Sequence, residues 1–351
     1  MRSWLVLTDG YLTARNAKTA HGVIHFSPDR IAAVIDSEHA GADLIEVLPE
    51  LGRSAPIVAS VGEGLAHEPT SLLLGVATPG GWMPDHWRAW IAESIDAGLE
   101  IANGLHTLLA DDEALVAQAE ERGVRLWDVR VPPEDIPLFS GKSLEVPQRI
   151  VLTVGSDCAV GKMTASLELA RAGLEQGVRT EFVATGQTGI LIAGRGIAVD
   201  RVISDFTAGA AEQLVCEASP EAEVLIVEGQ GSLWHPAYSG VTLGLLHGSA
   251  PEVLVLCHQA GRTAIEEPPF TKLPRLNEMI ATYEAMARPL RPAPVACVAV
   301  NTRGLDDDAA RASLTEIEDD TGLPTGDVMR GDAPRLWDAV YATLDEGARQ
   351  T

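Results

Sequence analysis

The sequence predicts an α/β protein in two parts, an N-terminal Rossmann-like domain over residues 1–140 and a C-terminal P-loop domain over residues 141–351, the second on a doubly wound parallel sheet. Three observations carry this expectation. Short apolar runs rich in β-branched residues alternate with segments of helical spacing, as in buried parallel strands joined by helices. Residues 131–142, Val-Pro-Pro-Glu-Asp-Ile-Pro-Leu-Phe-Ser-Gly-Lys, hold three prolines and read as a linker. Beyond it, Ile150-Val-Leu-Thr-Val-Gly-Ser-Asp-Cys-Ala-Val-Gly-Lys-Met-Thr164 passes from an apolar strand through a glycine loop into a helix with apolar Met163, Leu167, Ala170 and Leu174.

The first part is expected to have strands at 4–7, 31–35, 56–59, 71–76 and 124–128, with helices from about 85 to 106 and 111 to 122. The second strand leads into Asp36-Ser37 and the fourth into Ala77-Thr-Pro-Gly-Gly81, and such carboxyl-end loops are where open α/β sheets bind ligands. No Gly-x-Gly-x-x-Gly is present, so no dinucleotide site is predicted. Lys18-Thr-Ala-His-Gly22 is either a ligand-facing loop or a solvated turn.

At 351 residues the chain can bury a sizeable core. Its formal charge of −24 argues against nucleic acid or an anionic membrane surface as partner, because either polyanion would be repelled. Neither a membrane-spanning apolar run nor a secretory signal pattern is found, and a cytoplasmic location is expected. Cys158, Cys216, Cys257 and Cys297 are scattered without a Cys-x-x-Cys pair, so no metal site or disulfide framework is predicted. A small-molecule substrate and a homo-oligomer are the remaining expectations.

The glycine loop carries the chemistry. Gly155, Ser156, Asp157, Cys158, Ala159, Val160, Gly161, Lys162, Met163 and Thr164 would turn backbone N–H groups, a helix N-terminus and a lysine toward one anion. Its spacing is unusual. Five residues separate Gly155 from Gly161, and Met163 stands where the common P-loop has the hydroxyl that binds Mg²⁺. Phosphate binding is expected, and Mg²⁺-dependent phosphoryl transfer is disfavoured. Cys158, near a helix N-terminus, either packs the loop or acts covalently.

Further on, strand 178–184 ends in Thr185-Gly-Gln-Thr-Gly-Ile-Leu-Ile-Ala-Gly-Arg-Gly196, whose glycines suggest close approach or positive φ. Residues 202–209 open a helix at which Asp205 either caps or serves a ligand. The run Val224-Leu-Ile-Val-Glu-Gly-Gln-Gly delivers Glu228 at a strand end, as a Mg²⁺ ligand, a general base or a strand-end acid held by backbone N–H groups. His235 is a base, a substrate ligand or a structural histidine. Strands at 253–257 and 295–300 lead to His258-Gln-Ala-Gly-Arg262 and Asn301, and acidic or amphipathic helices follow at 306–321 and 334–349.

Gly155-Ser-Asp-Cys-Ala-Val-Gly-Lys, Glu228-Gly-x-Gly231 and Asn301 resemble the dethiobiotin synthetase class of P-loop proteins. A resemblance over nearly the whole chain is carried by Lys18-Thr-Ala-His-Gly22, the glycine loop through Thr164, Thr185-Gly-Gln-Thr-Gly189, Gly194-Arg-Gly-Ile-Ala-Val-Asp200 and Glu228-Gly-Gln-Gly-Ser-Leu-Trp-His-Pro-Ala-Tyr-Ser239. With these motifs the chain is similar to the D-glutamate N-acetyltransferase family. The resemblance implies acetyl-CoA as cosubstrate and the amine of a D-amino acid, D-glutamate foremost, as acceptor, in D-amino acid catabolism. Coenzyme A phosphates need no metal-binding hydroxyl, which makes Met163 tolerable.

The expected site then has Glu228 and His235 as candidate catalytic bases, the residues 155–164 and Asn301 for the cofactor, and Lys18, Gln187, Arg195 and Arg262 for the substrate. The alternatives are an ATP- and Mg²⁺-dependent ligase or kinase of the dethiobiotin synthetase type, and a nucleotide-binding regulatory protein.

Overall fold

Apolar strands without polar alternation must be covered on both faces, and both sheets of this chain are of that kind. The structure, a computed structural model, describes residues 2–78, 82–267 and 271–348. Within the loop 77–81, residues 79–81 lie outside the described ones, as does residue 349 at the end of the last expected helix. The chain divides into two compact units, one of residues 1–132 with Gln187–Ala198, the other of 133–186 with 199–351.

The first unit holds strands β1 (Ser3–Leu7), β2 (Arg30–Ile35), β3 (Ile57–Val58), β4 (Ser71–Leu74), β5 (Glu100–Asn103) and β6 (Leu126–Asp128). Their order is β3-β2-β1-β4-β5-β6, all parallel, which is the Rossmann arrangement. Helices α1 (Lys18–Phe26), α2 (Leu44–Val47), α3 (Val61–Leu65), α4 (Trp87–Asp96) and α5 (Glu113–Arg122) connect them. Trp87, Ile91 and Ile95 of α4 pack into a core with Leu5, Leu7, Leu72 and Ile101.

Two expectations are corrected here. Lys18-Thr-Ala-His-Gly22 is the start of helix α1 and not a loop, with the His21 ring nitrogen Nε2 2.6 Å from the Leu12 carbonyl. The helix expected from 85 to 106 stops at Asp96, and Gly98 at φ +83° turns the chain into strand β5. A left-handed glycine after a helix is a stop signal.

The second unit holds β7 (Arg149–Gly155), β8 (Thr180–Val183), β9 (Val224–Val227), β10 (Val253–Gln259), β11 (Val295–Asn301) and β12 (Thr325–Gly326), parallel in the order β12-β11-β10-β7-β9-β8. Helix α6 (Lys162–Glu175) follows β7, and α7 (Gln187–Ala193) belongs to the first unit, where Thr188 Oγ1 lies 3.2 Å from Thr19 Oγ1 of α1. Helices α8 (Thr207–Cys216), α9 (Ser239–Ser249), α10 (Leu276–Ala287), α11 (Asp307–Thr321) and α12 (Ala333–Ala348) complete the unit. Trp337, Leu336 and Val340 of α12 cover β7 and β10 together with α6.

Connections leave β7 toward β9 and β8, and leave β10 toward β11. The carboxyl ends of β7 and β10 therefore flank a topological switch point, the usual ligand crevice of such sheets. Asp205 does not cap α8, whose N-cap is Phe206 with no side-chain bond. The proline-rich stretch from 133 onward is bound to the second unit, where Glu212 of α8 accepts from the Ser140 N–H and hydroxyl at 2.9 and 2.8 Å. Among the described residues no helix is long and apolar enough to cross a membrane.

Candidate active site

β7 ends at Gly155 and α6 begins at Lys162, so the loop between them stands at the switch point. A Cβ on Gly155 would meet Lys162 Nζ at 2.7 Å and the Asp157 carbonyl at 2.9 Å, so only glycine lets the lysine fold beneath the loop. Ala159 at φ +53° and Gly161 at φ +108° place left-handed residues within the turn. Left-handed residues in a turn of this kind are what lets backbone N–H groups converge on an anion. A non-glycine residue in that region costs about 1 kcal/mol and persists where its surroundings fix it.

Those surroundings are polar and internal. The Ser156 N–H donates to the Cys257 carbonyl at 2.9 Å, Ser232 Oγ donates to the Ser156 carbonyl at 3.0 Å, and the Tyr283 hydroxyl donates to the Gly155 carbonyl at 2.7 Å. Ser156 Oγ lies 2.8 Å from His258 Nδ1. Burial, then the Arg262 charge, pushes His258 down to about 4, so it is neutral near pH 7.

The Asp157 side chain is fully buried, and its oxygens accept from Arg262 Nη1 at 2.5 Å, the Glu266 N–H at 3.0 Å and the Cys158 N–H at 2.6 Å. A carboxylate so occupied shapes the loop and does not itself hold phosphate. Arg262 also donates to Gln259 Oε1 at 2.6 Å, which ties this guanidinium into the loop framework. A cleft of about 450 Å³ is lined by His258, Arg262, Leu276 at the start of α10, and Ser313, Glu316 and Asp320 of α11.

Lys162 is buried, and its ammonium donates to the Asp157 carbonyl at 2.8 Å. Burial holds its pKa below the ordinary value, opposed by Cys158, Cys257, Asp157 and Glu228. An anion in the nest would reverse part of that burial cost. Met163 and Thr164 are half-buried in the first turn of α6, and Asn301 at the end of β11 comes close to the loop: a Cβ on Gly161 would lie 3.9 Å from its Cβ.

Glu228 follows β9 directly, and β9 pairs with β7. Its Oε2 accepts from the Thr185 and Gly186 N–H groups at 2.9 and 3.1 Å. Burial raises its carboxyl to about 7, with the two N–H groups and Lys162 pulling the other way and Asp200 adding to the rise. The close backbone here needs glycine next door, because a Cβ on Gly229 would lie 1.8 Å from the Thr153 carbonyl. His235 is buried, accepts the Ala237 N–H at Nδ1 (3.2 Å), and stacks on Tyr238 with ring centroids 4.5 Å apart. A ring nitrogen of His235, the Cys158 sulfur and an Asp157 oxygen all lie within 4.8 Å of one another. That donor set suits a thiophilic cation, but Lys162 and Arg262 put two positive charges beside it.

The second unit thus brings together the loop 155–164, Asn301, Glu228, His235 and Arg262. Lys18, Gln187 and Arg195 are in the first unit, where Lys18 and Arg195 are exposed and Gln187 Oε1 accepts from buried Arg130 at 3.0 Å. Sequence reasoning missed Ser232, Tyr283 and the Ser156–His258 pair, which support the loop. Their long-range partners lie 50 to 128 positions away, so the sequence carries no local signal for them.

Fold and site define a two-part α/β protein, a Rossmann-like unit and a P-loop unit. Residues 37–132 match a domain of unknown function described as the DUF1611_N Rossmann-like domain, and residues 137–337 match the DUF1611_C P-loop domain. The chain belongs to this DUF1611 family. A crystal structure of a DUF1611 family protein from Anabaena variabilis is 40% identical, with a TM-score of 0.92 over 97% of this chain and 100% of the other. A D-glutamate N-acetyltransferase of Tritonibacter scottomollicae is 38% identical over 93% of this chain and 94% of its own length. Another, from a Pseudoalteromonas species, is 40% identical over 78% of this chain and 81% of its own. The chain is an enzyme of the acyltransferase class, an N-acetyltransferase.

Proposed function

We propose that this enzyme moves the acetyl group of acetyl-CoA to the α-amine of an acidic D-amino acid, D-glutamate foremost, as a step in D-amino acid breakdown. The names of two relatives at 38% and 40% identity support the reaction. The observation that carries it in the site is Glu228, a buried carboxyl raised to about 7 beside the Lys162 loop. Acetyl-CoA supplies an activated acyl carbon. Only a free amine attacks it, so a base must take a proton from the substrate ammonium, and a base works best with a pKa near the working pH.

Glu228 has that property, and its two backbone donors both go to Oε2. His235 is suited to the opposite role. With Nδ1 accepting the Ala237 N–H, a neutral ring carries its proton on Nε2 and donates from there, toward developing negative charge. The turn at 159–161 and the Lys162 ammonium fit a phosphate of coenzyme A, and Met163 is no obstacle because this binding requires no metal-ligating hydroxyl. Carboxylate recognition calls for a cation. Arg262, the candidate within this unit, is already bound to Asp157.

Calorimetric titration with coenzyme A, and with ATP with and without Mg²⁺, tests this on wild type and Lys162→Ala. Loss of a charge-assisted contact is expected to weaken coenzyme A binding about ten- to a hundredfold. Mg²⁺-dependent ATP binding with no response to coenzyme A would overturn the proposal in favour of an ATP-dependent ligase or kinase.

A further inference from the structure

The four cysteines sit in three different electrostatic settings. Cys257 and Cys297 are buried in the second sheet, and burial pushes Cys257 up to about 12 and raises Cys297 as well. Cys216 at the end of α8 is exposed, yet partial burial, then Glu212 and Glu217, also raise it, against Lys142. These three thiols are held in the protonated, unreactive form at neutral pH.

Cys158 differs from all of them. It is only half-buried and lies in the loop that opens the fourteen-residue helix α6, whose N-terminus favours negative charge. Among the groups around Lys162, Cys158 is the one that most favours its ammonium, so a thiolate there and the ammonium would attract each other. A ring nitrogen of His235 is within 4.8 Å of the sulfur. Asp157 is equally near but does not cancel this, because its charge is matched by Arg262 at 2.5 Å. The Asp157 charge is taken up in that ion pair, and the lysine and the histidine stand beside the sulfur.

We propose that Cys158 is a nucleophilic thiol, supported as thiolate by Lys162 and His235, and that the loop is a covalent modification site for soft electrophiles, above all small disulfides. The Cys158 sulfur attacks one sulfur of the disulfide. The new S–S bond forms as the old one breaks, and the departing thiolate takes a proton from solvent. The substituent then sits within the glycine loop between β7 and α6. Its effect on coenzyme A binding rests on the function proposed above, whereas the reactivity of the sulfur does not.

The experiment is site-resolved labelling of the intact protein with iodoacetamide, read by peptide mass at each cysteine from pH 5 to 9. Cys158 is expected to react about tenfold faster than Cys216 at pH 7 despite lesser exposure, and its rate is expected to climb with pH at lower pH values than that of Cys216. Lys162→Met is expected to slow Cys158 about tenfold and leave Cys216 unchanged, which also shows that the variant is folded. Faster labelling of Cys216 in wild type, or a Cys158 rate unmoved by Lys162→Met, would overturn the proposal. Acetyl transfer is measured on the same samples. Selective labelling of Cys158 with full activity retained would uphold the nucleophilic thiol while counting against the loop as the donor site.

Discussion

Asp36 follows β2 in the first unit and Glu228 follows β9 in the second, so two acids stand at equivalent points of two parallel sheets, both buried. Burial alone would raise both. Around Asp36 that rise is more than offset by His39 Nδ1 at 2.8 Å, Thr8 Oγ1 at 2.9 Å and the Leu12 N–H at 3.1 Å, and the Gly10 N–H at 2.9 Å adds a further donor. Its pKa ends below the ordinary value, and the carboxylate pins the loop after β1. Glu228 has two backbone donors only, burial wins, and its carboxyl lies near 7. The count of donors separates an acid that builds a loop from one that can exchange a proton.

The largest effect that would break this contrast is on turnover. Glu228→Gln keeps shape and removes the base, so kcat for acetyl transfer should fall about a hundredfold or more, with the acid limb near pH 7 lost from the pH–rate profile. Wild-type turnover in this variant would sink the assignment. Asp36→Ala strands four donors in the first unit, and chemical denaturation should show a loss of about 3–4 kcal/mol.

A third expectation concerns pH and has opposite signs for the two acids. Glu228 binds its proton more tightly folded than unfolded, so the folded state gains from it at low pH. That contribution is present below about 4.5 and is lost as pH rises toward 7, by about 3 kcal/mol in all. Asp36 has a depressed folded pKa, so its stabilisation is present above 3.8 and is lost as pH falls below that value. Stability of wild type relative to Glu228→Gln, followed from pH 4 to 8, should therefore decline. A flat difference would show that the carboxyl is not raised. Smallest is His39→Ala, which removes one of the four Asp36 donors and should cost about 1 kcal/mol of unfolding free energy.

Much of the candidate site was legible in the chain. The run from Ile150 to Thr164 and the strand ending at Glu228 announce themselves because their signals are local: β-branched runs, glycine breaks and helical spacing within fifteen residues or so. Less legible was whether Lys18-Thr-Ala-His-Gly22 is loop or helix, because α1 draws its support from packing, including the Ala20 N–H donating to the Gly75 carbonyl at 2.9 Å. Strand β5 was hidden behind a helical pattern that continued past Gly98 on paper. Arg262 looked like a ligand for substrate carboxylate, and only the fold shows it committed to Asp157, 105 positions away.

By itself the sequence determined the two-part α/β plan, the phosphate-type loop and the acid at the neighbouring strand end, since each depends on residues close together in the chain. Tertiary structure alone decided what those groups are worth chemically. The Thr185 and Gly186 N–H groups reach Glu228 across 43 and 42 positions, the Ser156–His258 pair closes over 102, and Gln187–Ala198 belongs to the first unit although it follows the P-loop in sequence. A pKa or an ion pair is set by what surrounds a group in space, and burial and distant donors leave no local mark on the order of residues.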